Sequence, residues 1–355
     1  MTSSLALRVF MRGVVVLFLL VAGTVPSDRQ LGDESLQSFV DRTTRQWCAE
    51  HGKRDDLQAV VVDVRFRPEP PLFAEGEGVV VAPLALELPG GQRILDVATR
   101  PAHLRRLEVQ GITAVAWEYG GRVHREMHFA GVALVERPAL ARVTAPAKPT
   151  FNSFPAEQMP EALARAADLE EHGLHKCAAF AEWARTTAGP GPYTDQMVRL
   201  VKAVAKPHIE GQREPDDVCA ALREGRFSPH RRQVAVVMAA RELGVPAYGF
   251  ASASATQIHL VGTYTDQAGW ILLDVEQPED GWFTGGPPLL TRAPLLGGFA
   301  AAPHDFWTAE GAAYHKTDWG GVQALSGTEW RGRAKGDQPT DTTEARAVSL
   351  AKACQ

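Results

Sequence analysis

Between Val218 and Asp274 the chain sets out its elements in an order that few folds accommodate. A short helical stretch ends at Glu224-Gly225. A second helix opens at Ser228-Pro229, runs to Leu243 and is stopped by Gly244. Serine at an N-cap and proline at the first helical position make an ordinary helix start: the hydroxyl accepts an orphan N–H, and proline has none to leave unsatisfied. Three short strands follow, the second carrying His259 and the third Asp274. The turn at Asp266-Gln267-Ala268-Gly269 predicts an antiparallel pair, which sets the histidine and the aspartate on adjacent strands. Such a pair suits base chemistry, the carboxylate fixing the tautomer of the imidazole.

The wording of this stretch resembles the transglutaminase-like superfamily. Bacterial members carry L-x-x-G-x-G-x-C, then a helix ending in R-x-x-G-I-P-A-R, then H-A-W on one strand and G-W-x-x-x-D on the next. Leu222 and Gly225 match the approach; Arg241, Gly244, Val245, Pro246 and Ala247 match the helix exit. His259 matches the histidine, and Gly269, Trp270 and Asp274 match the last piece. The resemblance covers residues 195–285 and implies an α+β fold: a papain-like transglutaminase core with a preceding antiparallel β domain. It also implies a cysteine at the start of the second helix, activated by the helix dipole and the histidine.

That cysteine is missing. Aligned from Gly244, its position falls on Pro229, with Phe227 where glycine is usual, Tyr248 for the arginine and Leu260-Val261 for Ala-Trp. Proline can neither attack nor donate a backbone N–H to an oxyanion. The remnant catalytic set is therefore His259 and Asp274, with Ser228 reached by a one-residue shift. The expectation is a pseudoenzyme acting as a binding or scaffold module, with a peptide or a cell-envelope polymer as partner. One alternative is an active hydrolase or acyltransferase using Ser228 with His259 and Asp274, or less directly Cys219 on the preceding helix. Another is a purely structural envelope protein in which His259 is a strand residue hydrogen-bonded in the core. No cofactor is called for.

The N-terminus reads as an export signal. Arg8 and Arg12 precede the apolar run Gly13–Ala22, and Val21 and Gly23 suit positions −3 and −1 of a cleavage site. An uncleaved anchor is the rival reading, and in that case alone would the chain touch a membrane. Export, to the periplasm or as a secreted protein, is the expectation, and export itself follows either way. In an oxidising compartment the four cysteines, Cys48, Cys177, Cys219 and Cys354, predict disulfides, with three connectivities open. A Cys48–Cys354 bridge would tie the tail to the first helix. No pair has metal-site spacing. A net charge of −5 gives no basis for nucleic-acid binding.

The rest of the 355 residues divides by pattern. Residues 1–23 are the signal peptide, and 24–56 are a linker and a helix capped by Asp33. Residues 57–136 form a β domain, rich in valine at Leu57–Phe66 and punctuated by Pro89-Gly90-Gly91 and Gly120-Gly121. His124 and His128 there lack a third ligand and read as surface residues. Residues 137–155 are a proline-bearing linker. Residues 156–326 are the transglutaminase-like α+β domain, including a helix capped by Thr194 whose inner face is Met197, Leu200, Val201 and Val204. Its loop-rich end holds His304, Trp307, His315 and Trp319. Residues 327–355 are a polar tail, disordered over 327–342, with a short helix at its end.

Overall fold

The computed structural model describes residues 34–67, 73–101, 105–109, 111–123, 127–156, 158–165, 177–204, 218–227, 229–253, 259–293, 315–316, 327–335 and 340–355. The signal-peptide reading, Ser228, His304, Trp307 and Trp319 lie outside these residues, as does His124. Helices and strands are mixed, and the strands form three antiparallel sheets.

The first helix, α1 (Leu36–His51), has Phe39, Val40 and Trp47 buried on one face. Its cap is Ser35 and not Asp33: the Ser35 hydroxyl accepts from the Ser38 N–H at 3.1 Å. Strand β1 (Leu57–Arg67) lies between β6 (Met127–Glu136) and β15 (Thr340–Ser349), with β3 (Arg93–Arg100) beyond β6. Its valine run is explained by burial on both faces. Leu57, Ala59 and Val61 pack under α1 and Leu350 of the terminal helix α7 (Leu350–Ala353). Val60, Val62 and Val64 pack against Ala82, Leu84, Val115 and Trp117 of the second sheet. Burial of each such valine contributes about 1.5–3 kcal/mol.

That second sheet runs β13 (His315–Lys316), β14 (Gly327–Lys335), β2 (Phe73–Leu86), β5 (Ile112–Val123), β4 (Arg105–Val109). Here the sequence reading is corrected. Residues 327–335 and 340–349, expected as a polar tail, are strands that complete two different sheets. For β15 the reason is that Ala345 and Ala347 turn inward against the sandwich core while Arg346 is exposed. Alanine alternating with polar residues gives too weak an apolar signal to read as a strand. A disulfide, Cys48–Cys354, then fastens α1 to the end of α7.

The third sheet runs β12 (Leu289–Ala293), β8 (Tyr248–Ser252), β9 (His259–Thr265), β10 (Gly269–Asp274), β11 (Phe283–Thr284), β7 (Ala141–Arg142). The supposed linker 137–155 therefore supplies an edge strand. Helix α6 (Pro229–Glu242) lies on one face, where Val234, Ala235, Val237 and Met238 meet Val261, Ile271, Leu273 and Val275. Helices α3 (Phe180–Ala188) and α4 (Tyr193–Val204) share that core, and α4 buries the predicted Met197, Leu200, Val201 and Val204. On the other face Phe250, Leu260, Trp270 and Leu272 pack on Leu86, Leu88, Ile112 and Phe154. The strands of 57–136 and those of 248–274 belong to different sheets, but buried side chains join them.

Candidate functional site

The helix-exit residues build the turn from α6 into β8. Gly244 adopts φ 77°, and its N–H donates to the Arg241 carbonyl at 2.9 Å, a left-handed helix stop that favours glycine. The buried Arg241 guanidinium donates from Nε and Nη2 to the Ala247 carbonyl, at 3.0 and 2.8 Å. It also lies 5.9 Å over the Tyr248 ring. Arginine, glycine and alanine of the motif thus hold the helix in place against the sheet. Tyr248 fills the core beneath and donates to the Gln158 carbonyl.

One polar residue at the head of this apolar face went unremarked in the sequence. Gln233 is buried, and its Nε2 donates to the Phe250 and Leu260 carbonyls at 2.9 and 2.7 Å, bridging β8 and β9. Gly249 makes room for it, since a Cβ there would sit 2.8 Å from the Gln233 side chain. A lone glutamine leading the run Val234–Ala240 was the available signal, because a buried amide must find partners.

At the other end of the hairpin, Asp266 organises the chain before α2 (Met159–Ala162). Its carboxylate accepts from the Ser153 N–H at 2.7 Å, the Asn152 N–H at 2.9 Å and Asn152 Nδ2 at 2.9 Å. These backbone donors, Ser153 first, hold its pKa down to about 2.

His259 opens β9 and Asp274 closes β10. The register pairs Asp274 with Leu260, and the Val275 N–H donates to the His259 carbonyl at 3.2 Å. Paired residues share a face and neighbours alternate. His259 therefore belongs with Val261 and Val275 on the α6 face, and Asp274 with Leu260 and Leu272 on the opposite one. The two side chains form no hydrogen bond. Asp274 Oδ1 accepts instead from the N–H groups of Glu276 and Gln277, at 2.8 and 3.4 Å. His259 Nδ1 is buried and has no partner among the described residues. Burial lowers the histidine pKa, opposed in part by the charge of Asp274. Burial raises the Asp274 pKa, opposed by its two backbone donors.

Of the nucleophile positions, Pro229 is the first residue of α6. Cys219, in α5 (Val218–Glu224), is bonded to Cys177 and so presents no thiol. Among the described residues no group of three or more His, Cys, Asp or Glu side chains converges on a metal position.

No family model and no curated protein matches the chain. Its fold is similar to that of a crystal structure described as a candidate cysteine protease from Cytophaga hutchinsonii. The TM-score is 0.54 over 83% of this chain and 90% of the other, at 11% identity. At that identity the likeness is one of fold.

Proposed function

We propose that this chain is an exported, transglutaminase-like protein on a papain-like core whose catalytic centre has been taken apart, and that it acts as a binding or scaffold module. The observation that carries the absence of a working catalytic pair is the pairing of Asp274 with Leu260. It sends the carboxylate to the sheet face opposite His259, so the imidazole Nδ1 has no orienting partner among the described residues. Pro229 at the start of α6 adds to this, because neither a thiol nor an oxyanion donor stands at that position. Similarity of fold to a candidate cysteine protease supports the ancestry. The two disulfides and the apolar run after Arg12 support export. A peptide or a cell-envelope polymer is the partner this reading favours.

The test is covalent labelling. The folded, oxidised protein is exposed to thiol-reactive and serine-reactive acylating probes and weighed intact. No adduct is expected on wild type or on Ser228→Ala. Stoichiometric labelling of wild type that disappears in Ser228→Ala would establish a serine nucleophile and end the reading. A second reading, a structural envelope protein with no ancestral site, is favoured by the missing His259–Asp274 hydrogen bond. It differs in expecting no saturable binding of peptides or envelope polymers.

A further inference from the structure

On the sheet face away from α6, Asp274 lines a pocket of about 160 Å³. Its inner wall is apolar, made by Leu260 and Phe283, which are buried, with Pro287 beside them. Leu140 also lines the pocket, is 59% exposed, and lies against Gly286. The rim charges cancel: Arg142 donates to the Asp280 carboxylate at 2.7 Å. That leaves the Asp274 carboxylate, 9% exposed, as the uncompensated charge inside. Its Oδ1 is taken by two backbone N–H groups, while Oδ2 accepts from none of the described residues.

We infer that this pocket recognises a primary ammonium on a short aliphatic stem, the chemistry of a lysine side chain. The volume is right: a cavity of about 150 Å³ accommodates a benzene-sized guest, and a four-carbon amine is of that order. Sign is set by the carboxylate, and the stem by the apolar wall and Leu140. Ammonium is favoured over guanidinium because a guanidinium fork engages both oxygens of a carboxylate, whereas a single oxygen that accepts from none of the described residues suits a compact point charge. Burial raises the Asp274 pKa, a penalty that a bound cation relieves. The inference uses the face opposite His259 and holds whether or not the face bearing His259 is catalytically silent.

The test titrates the whole exported chain, at neutral pH, with Nα-acetyl-lysine methylamide and with its norleucine and arginine counterparts, following binding by NMR or calorimetry. The lysine probe is expected to bind saturably, and the uncharged norleucine probe about tenfold more weakly or worse, since a charge-assisted hydrogen bond is lost. Arginine should fall between them. Asp274→Asn keeps an Oδ1 acceptor for the two N–H groups and should remove the preference for lysine. Leu140→Ser, at an exposed position, should weaken the lysine probe severalfold even if the first variant fails to fold. Equal binding of lysine and norleucine, binding undiminished in either variant, or no binding of lysine at millimolar concentration would overturn the inference.

Discussion

The surroundings of His259 oppose its protonation. Its Nδ1 is buried without a partner among the described residues, and burial lowers its pKa below the usual 6.5. The unfolded chain takes up the proton near 6.5 while the folded one resists it. Below that pH the unfolded state binds more protons, so stability falls as the pH drops towards the lowered folded value. Denaturation midpoints measured between pH 7.5 and 5 should decline for wild type. His259→Gln should flatten that decline. A decline of equal slope in the variant would place the proton uptake elsewhere. Asp274 works in the opposite sense: its pKa is raised above 3.8, so acidification through that window favours the folded state. Had the two side chains formed an ion pair, each would have pulled the other's pKa the other way.

The β9–β10 hairpin shows what a sequence can and cannot announce. Its strands, its turn and the helix before it follow from apolar runs bounded by Gly244 and by Asp266–Gly269. The face each side chain takes does not. A shift of one residue in register moves every side chain to the other side of a sheet. His259 and Asp274 are therefore placed on adjacent strands by pattern, but separated onto two faces by a pairing with Leu260 that no local signal encodes. The anchoring by Asp266 was hidden for a similar reason, since its partners Asn152 and Ser153 lie more than 110 residues earlier in the chain. A carboxyl held at about 2 contributes stability that is complete above its ordinary 3.8 and lost as the pH falls through about 2. Asp266→Asn should remove this contribution, with faster amide hydrogen exchange at Ser153 near neutral pH. Unchanged exchange there would mean that the loop is held by its other contacts, such as Gln267 with Thr150.

Across the molecule, the C-terminal residues matter more than their polarity suggests. Strand β15 covers one edge of β1 along ten paired residues, and Leu350 fills the core beneath α1. Cys354 closes a bridge to Cys48 across a separation of 306 residues, and native disulfides contribute about 2–5 kcal/mol. Deletion of residues 340–355 should abolish cooperative thermal unfolding. A truncated chain that melts like wild type would restore the reading of this segment as a dispensable tail. With the β sandwich locked in this way and the third sheet packed on it, the fold is a firm scaffold. The central claim is that the scaffold carries no acyl-transfer centre. The most direct measurement is turnover by purified, oxidised wild-type protein in peptide and amide hydrolysis and in amine incorporation, with Ser228→Ala and His259→Gln run beside it. All three should match the protein-free blank. Reproducible turnover by wild type, abolished by either substitution, would contradict the claim.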